Sequence, residues 1–212
     1  MKKTLSFALV AAAMLIAGKA NAQLNVHVGY APQTYTHTVG NSDDKMELNG
    51  FFVGADFNLP ISGDLKVDLG ANLRYNTKEE SNGTSVLGVP ISGKVTNTQM
   101  LLDIPILLNY GLELKRDVRI SAFVGPTITY ALSGTTKSEG SLGALSASDE
   151  YDWYGDNSGR SRFDIAATFG LSVDFRDFRL FGGYNLGLLD LAEGDNITTK
   201  GRNWFIGFGY NL

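Results

Sequence analysis

The stretch that decides the fold is residues 203–212, which read NWFIGFGYNL. Every second residue in it is large and apolar, namely Trp204, Ile206, Phe208, Tyr210 and Leu212. The residues between them are mostly small or polar, so the segment has the period of two of a β-strand with one apolar face. A chain that closes on such a strand is typical of a membrane β-barrel, because the last strand pairs with the first and leaves no open edge.

The same alternation recurs along the chain and predicts seven further strands. These strands lie within residues 24–30, 51–59, 65–75, 100–112, 118–132, 163–175 and 178–188. Long segments follow the first, third, fifth and seventh strands, at residues 32–45, 77–97, 133–161 and 189–202. Short turns follow the second, fourth and sixth strands. This regular asymmetry is typical of outer-membrane barrels, in which short turns are periplasmic and long loops are extracellular.

The aromatic residues distinguish a membrane barrel from a soluble eight-stranded barrel such as a lipocalin. If Gln23 is periplasmic, one apolar-face group falls at the outer strand ends: Tyr30, Phe51, Tyr75, Tyr130, Phe163 and Trp204. A second group falls at the inner ends: Phe57, Tyr110, Phe175, Phe178 and Tyr210. Two aromatic girdles around an aliphatic band suit a surface that faces lipid. The sequence therefore predicts an all-β fold, an eight-stranded antiparallel transmembrane β-barrel.

Residues 1–22 have the pattern of a cleaved signal peptide, with Lys2 and Lys3 before an apolar stretch and a small-residue cleavage site. Residues 23–212 then form one barrel domain in the outer membrane of a Gram-negative cell. Cleavage removes three lysines and no acidic residue, which leaves 15 basic and 22 acidic residues and a net charge of −7. This charge does not suit a nucleic-acid-binding protein. The chain has no cysteine for a disulfide or a thiolate metal site, and we expect no cofactor.

Polar and charged residues occupy the inward positions of the predicted strands. Counting from the short turns predicts opposite-charge pairs in the lumen near the periplasmic end, namely Glu113 with Arg119 and Asp174 with Arg179. The same counting places Asp56 opposite Asp68, two carboxylates that need a cation such as Lys66 or a neighbouring arginine. An eight-stranded barrel leaves just enough room for side chains, so we expect these charges to lock the lumen rather than gate an ion path.

Residues 133–161 form the most distinctive predicted loop, which is acidic and aromatic. The candidate ligand-binding or partner-binding residues in it are Asp149, Tyr151, Asp152, Trp153, Tyr154 and Asp156. Such side chains can stack on a sugar ring, meet a protein partner or hold a calcium ion, although the spacing matches no EF-hand loop. The alternative is a solvated loop whose aromatic residues pack on the barrel rim. We expect an extracellular protein or glycan as the partner of this loop.

Catalysis has one candidate residue, His37, which lies six residues before the Asp43-Asp44 pair. No local motif places a serine beside it, so the sequence predicts that the protein is not an enzyme. Three functions follow from these patterns. The favoured one is a non-enzymatic barrel that acts as a structural or binding scaffold. The alternatives are a narrow pore for ions or small solutes and an outer-membrane hydrolase or acyltransferase centred on His37.

Three segments carry a family resemblance, namely residues 103–110 (DIPILLNY), 123–126 (FVGP) and 183–188 (GYNLGL). They resemble recurring strand motifs of the small outer-membrane β-barrel "porin family" proteins common in Bacteroidota. The resemblance covers essentially the whole mature chain. It implies an eight-stranded barrel that the barrel assembly machinery inserts among outer-membrane lipids, and it implies no particular activity. The chain departs from the commonest assembly signal of such barrels because it ends in Leu212 rather than an aromatic residue.

Overall fold

Alternating apolar and polar residues form long antiparallel strands, because a β-strand turns successive side chains to opposite faces. The computed structural model describes residues 23–40, 42–86, 89–115, 117–142, 145–155, 158–192 and 197–212. Its strands are β1 (Gln23–Tyr30), β2 (Gln33–Val39), β3 (Ser42–Ser62), β4 (Leu65–Val86), β5 (Val89–Lys115), β6 (Val118–Leu142), β7 (Leu145–Asp152), β8 (Phe163–Phe175), β9 (Phe178–Gly187) and β10 (Ile197–Asn211). The described residues include no helix with the length and apolarity needed to cross a membrane.

Eight strand positions form a closed antiparallel ring. β1 and β2 share one position, since both pair with β3 on one side and with β10 on the other. The ring then continues through β4, β5, β6, β8 and β9, and β9 pairs with β10. At the closing seam Asn25 lies opposite Asn211, and the Leu212 N–H donates to the Leu24 carbonyl oxygen at 2.8 Å. The predicted eight-stranded antiparallel barrel is confirmed.

The barrel wall is apolar outside and polar inside. In β10, Trp204 and Phe208 are exposed on the outer face, whereas Asn203 is buried on the inner face. Other polar side chains are likewise buried in the interior, among them Asn25, Asn58, Asn76, Gln99 and Asn109. A water-soluble barrel has the opposite arrangement, with its apolar face inward. The outer face is therefore suited to lipid.

Aromatic side chains on the outer face pack together in two groups. At one end, the Tyr30 ring centroid lies 5.3 Å from that of Phe51 and 5.4 Å from that of Trp204. At the other end, the Phe178 and Tyr210 centroids lie 5.4 Å apart. The groups lie where the two girdles were predicted. We call the Tyr30 end of the barrel the outer end and the Phe178 end the inner end.

The long segments that the sequence predicts as loops contain strands, which corrects that prediction. β4 and β5 continue past the outer girdle until Val86 lies opposite Val89. β5 continues beside β6 as far as Leu142, and β7 then pairs with β6. The outer sheet is our name for four paired segments: residues 78–86 of β4, 89–97 of β5, 135–142 of β6, and β7. Water contacts both faces of such a sheet, so its sequence lacks the apolar alternation that identifies the membrane strands.

The register of β3 and β4 also differs from the prediction. A bulge precedes their two-residue turn and shifts the pairing. Asp56 therefore lies opposite Gly70, and Asn58 is the residue opposite Asp68, so the predicted opposition of Asp56 and Asp68 is wrong. A bulge adds one residue to one strand only, and counting alternate residues from the turn does not reveal it.

Candidate functional site

Buried charges at the inner end of the lumen gather around Arg179, and we call them the inner charge cluster. Arg179 extends from β9, and its Nε donates to Asp174 Oδ1 at 2.7 Å. Its Nη1 lies 3.6 Å from Asp56 Oδ2 and 4.0 Å from Asp68 Oδ2. Its Nη2 donates to Asn58 Oδ1 at 3.2 Å. One guanidinium group thus links carboxylates from both sides of the lumen, as its planar set of donors allows.

The two predicted lumen pairs make different contacts. Asp174 and Arg179 lie opposite each other and form the ion pair of the inner charge cluster. Arg119 lies opposite Glu113, but its Nη2 donates to the Asp64 carbonyl oxygen at 2.7 Å and its Nη1 lies 3.7 Å from Asp64 Oδ1. The expected Glu113–Arg119 ion pair is thus replaced by a contact with Asp64. Glu113 is exposed at the rim, where water can solvate its charge.

A layer of phenylalanine side chains crosses the lumen beside the inner charge cluster. The Phe181 ring centroid lies 6.2 Å from those of Phe52 and Phe205, and Phe123 stacks on Phe205 at 6.3 Å. Glycine makes room for these rings, since a Cβ atom on Gly207 would collide with the Phe181 ring. The strand pattern did not predict this layer, because polar residues were expected at the inward positions. A phenylalanine at an inward position, with glycines on neighbouring strands, is the signal that could have shown it.

A second ion pair, between Arg74 and Asp103, lies in the lumen nearer the outer end. Arg74 Nε donates to Asp103 Oδ2 at 2.9 Å and Nη2 donates to Oδ1 at 3.1 Å, so the pair is bidentate. Arg74 Nη1 also donates to Gln33 Oε1 at 2.6 Å, and the Thr129 hydroxyl donates to Asp103 Oδ1 at 2.7 Å. A cavity of about 80 Å³ is lined by the inner charge cluster, the Arg74–Asp103 pair and the phenylalanine layer. It has room for a few water molecules.

Side chains fill the outer mouth of the barrel, and we call them the mouth plug: Tyr35, Leu48, Leu101, Ala131, Trp153, Tyr154 and Leu191. Trp153 and Tyr154 are only 4% and 8% exposed. Gln99 joins two of the tyrosines, because it accepts a hydrogen bond from Tyr35 at 2.8 Å and donates one to Tyr154 at 2.6 Å. The Arg160 guanidinium stacks 4.3 Å from the Tyr35 ring centroid and 4.7 Å from that of Trp153.

The mouth plug uses two of the residues predicted to bind a partner. Trp153 and Tyr154 turn into the barrel mouth, so their rings are not available to stack on a sugar, which corrects that prediction. Their packing resembles the alternative in which the aromatic residues cover the rim, although they lie inside it. Three other predicted residues are exposed on β7, namely Asp149, Tyr151 and Asp152. Asp156 lies outside the described residues.

The outer sheet is polar, and its β4, β5 and β6 strands pair their charges. The ion pairs are Lys78–Glu80 at 2.7 Å, Lys94–Glu79 at 2.9 Å and Lys137–Glu139 at 2.6 Å. A groove of about 660 Å³, lined mainly by serine and glycine residues, runs across the four strands near their tips. β7 differs from the other strands because its acidic residues take part in no ion pair within the described ranges. The sheet therefore offers polar, accessible surface with one acidic border.

His37 lies on β2, two residues nearer the tip of the β2–β3 hairpin than Tyr35 of the mouth plug, and its Nδ1 is 2.8 Å from the Thr199 hydroxyl oxygen. Thr199 is only 3% exposed, so its hydroxyl is closed to a substrate. Burial lowers the pKa of His37, the Arg160 charge acts in the same direction, and Asp44 opposes them. Within the described ranges, no group of three or more histidine, aspartate or glutamate side chains is placed to hold a metal ion.

Several solved outer-membrane proteins are similar to this chain. Ail of Yersinia pestis, in complex with the heparin analogue sucrose octasulfate, is 16% identical with a TM-score of 0.42, over 90% of this chain and 99% of that chain. Neisserial surface protein A is 9% identical with a TM-score of 0.42, over 91% and 99%. The outer membrane protease OmpT of Escherichia coli is 9% identical with a TM-score of 0.38, over 91% and 97%. The chain has no match among curated protein sequences.

A family model agrees with the architecture. The model of the outer membrane protein β-barrel domain matches residues 17–193, which is most of the chain. The closed ring and the apolar outer face with two aromatic girdles suit the same environment. The expected Gram-negative outer-membrane location follows, whereas the predicted signal peptide lies outside the described residues and the Bacteroidota type stays a prediction. The chain belongs to the outer membrane protein β-barrel domain family.

Proposed function

We propose that this protein is a non-enzymatic binding scaffold that presents its outer sheet to an extracellular protein or glycan. The observation that carries the proposal is the contrast between a filled interior and an accessible outer sheet. All of β7 from residue 146 to residue 152 is exposed. Tyr151 is 54% exposed and stands among acidic residues, a combination that suits contact with a partner.

The filled lumen supports a scaffold over the alternative of a narrow pore. An ion that crosses the barrel would have to pass the mouth plug, the Arg74–Asp103 ion pair, the phenylalanine layer and the inner charge cluster in turn. Each ion pair is buried and held by further hydrogen bonds, so moving it aside leaves unpaired charges in the lumen. An eight-stranded barrel normally encloses no open channel.

The surroundings of His37 support a binding role over a hydrolase or acyltransferase. The hydroxyl within hydrogen-bond reach of His37 belongs to Thr199, which is buried. A nucleophile must contact its substrate, so this pair is badly placed for catalysis.

We extend the proposal to the finer family assignment: a small porin-family barrel of the Bacteroidota type, exported by a cleaved signal peptide and inserted by the barrel assembly machinery.

The test is to shorten the β6–β7 hairpin without disturbing the mouth plug. Ser138 lies opposite Asp149, so residues 139–148 can be replaced by an Asn-Gly turn between them while Trp153 keeps its place. The matched control changes the β2–β3 hairpin by Thr38→Ala with Asp43→Ala, which removes an exposed hydrogen bond of 2.7 Å.

The readout is binding to a glycan array and capture of proteins from detergent-solubilised outer membranes. We expect glycans or proteins that bind the wild type and the control variant to be lost from the shortened variant. If all three proteins give the same binding profile, the outer sheet has no binding role and the proposal fails.

A further inference from the structure

β7 is the outermost strand of the outer sheet and has a partner on one side only. It pairs with β6 from Asp152 opposite Thr135 to Leu145 opposite Leu142. In the part of the chain that the structure describes, it pairs with no other strand. The unpaired side of an edge strand presents a row of N–H and C=O groups that another extended chain can use.

The backbone groups on this free edge can be identified. The Trp153 N–H donates to the Gly134 carbonyl oxygen at 2.9 Å, so Trp153 faces β6. In an antiparallel pair alternate residues face the partner strand, so every second residue of β7 directs its backbone groups to the free edge. These residues are Ser146, Ser148, Glu150 and Asp152. The Glu150 N–H also contacts Asp149 Oδ1 at 3.1 Å, a local bond that a pairing strand would replace.

The free edge of β7 is acidic. Asp149, Glu150 and Asp152 form no ion pair with any described residue, and Lys137, opposite Glu150, is held by Glu139 at 2.6 Å. Residues 78–86 of β4 form the other free border of the outer sheet, since the pairing of β3 with β4 ends at Thr77. That border has its acidic residues neutralised, in the ion pairs Lys78–Glu80 and Lys94–Glu79. The β7 edge therefore attracts a basic strand and repels a second copy of itself.

We propose that β7 is a strand-addition site for an extended, lysine- or arginine-rich segment of a partner protein. The inference rests on the proposed binding function and specifies its mode. Backbone hydrogen bonds to Ser146, Ser148 and the two acidic edge residues supply the pairing, as in other cases of β-strand addition. The acidic side chains select for basic residues, and the exposed Tyr151 ring offers a face on which a cationic side chain can stack.

The test uses a labelled nine-residue peptide of alternating lysine and threonine, with fluorescence anisotropy on the full-length protein in detergent. Two control peptides separate backbone hydrogen bonding from charge attraction. The first is N-methylated at alternate residues and keeps its charge, and the second has glutamate in place of lysine. We expect the lysine–threonine peptide to bind and both controls to bind at least tenfold more weakly, or about 1.4 kcal/mol. Equal binding of the N-methylated peptide would overturn strand addition, because it keeps the charges and loses the donors.

The decisive variant is Ser148→Pro, which removes an N–H group from the free edge and leaves the bonds to β6 in place. The matched control is Ser81→Pro on β4. The Gly111 N–H donates to the Asp64 carbonyl oxygen at 3.2 Å, and the register of β4 with β5 is unchanged from there to Val86. Even-numbered residues of β4 therefore face β5, and the Ser81 N–H is directed to the other free border. We expect about tenfold weaker peptide binding for Ser148→Pro and unchanged binding for Ser81→Pro. Equal binding by both variants would overturn the proposal.

Neutralising the edge tests the charge selection. Asp149→Asn, Glu150→Gln and Asp152→Asn in one chain should weaken peptide binding and remove most of its salt dependence. The shortened-hairpin variant separates this inference from the proposed function. If shortening abolishes partner or glycan binding while Ser148→Pro leaves that binding intact, the outer sheet binds but not by strand addition. If shortening changes nothing, the proposed function itself fails.

Discussion

At the residue scale, Arg179 controls the charge balance of the inner lumen. It is only 7% exposed and contacts three carboxylates that would otherwise repel one another. Buried charges are tolerated when they are paired, and removal of one partner leaves the others uncompensated. The cluster therefore stabilises the barrel only as a complete set.

We expect Arg179→Gln to lower the free energy of unfolding by about 3–5 kcal/mol, because it removes the guanidinium group that contacts Asp56, Asp68 and Asp174. Urea unfolding in detergent or lipid vesicles measures this. The control is Arg176→Gln, whose exposed side chain lies 3.8 Å from Asp117 and whose loss should change stability by less than about 1 kcal/mol. Equal effects of the two variants would show that the cluster contributes no more than a surface pair.

The phenylalanine layer gives a second prediction at this scale. Gly207→Ala should destabilise the barrel by about 1–3 kcal/mol, because the new methyl group collides with the Phe181 ring. Phe181→Leu in the same chain should recover part of this loss. At Gly29 the new methyl group would meet the Ile206 carbonyl as well as the Phe52 ring, so Phe52→Leu should not rescue Gly29→Ala. Rescue at both glycines would contradict the packing described here. Urea unfolding of the four variants and the wild type gives the comparison.

At the scale of the element, lipid contact decides which strands the sequence reveals. β8 spans Phe163–Phe175, the same residues that the alternation predicts, because one face meets lipid and the other meets the lumen. β7 was predicted as part of a loop, since water reaches both of its faces and no apolar pattern remains. The burial of Trp153 and Tyr154 depends on how the chain returns from β7 into the mouth, and residue type alone does not specify that path.

The β2–β3 hairpin provides a prediction on pH. Burial of His37, with the Arg160 charge, lowers the pKa of its imidazole in the folded protein. The neutral imidazole of His37 thus stabilises the fold at a pH above about 6.5, the pKa of histidine in the unfolded chain. This stabilisation is lost as the pH falls through the pKa of His37 in the folded protein. NMR titration of His37 should give a pKa below the ordinary value, and Arg160→Gln should raise it. A His37 pKa above the ordinary value, or one insensitive to Arg160, would contradict the structure.

At the scale of the whole molecule, the barrel is a filled cylinder that carries a polar sheet. Several barriers lie in series along the lumen, so removing one should not open it. We expect no stepwise conductance in planar bilayers from the wild type, nor from a variant with Trp153→Ala and Tyr154→Ala, because the phenylalanine layer still crosses the lumen. Stable single-channel currents from the wild type would support the pore alternative.

The seam between β1 and β10 has a consequence for the order of assembly. The Asn25 side chain donates to that of Asn211 at 2.9 Å across 186 positions of the chain, whereas the other seams of the ring join strands that are near neighbours in sequence. Neighbouring strands can therefore pair one after another, but the barrel closes only when β10 pairs with β1. Until then β1 and the most recent strand each expose an unpaired edge, which a bilayer penalises. The pairing of β10 with β1 should thus be the slow step in the assembly of the barrel.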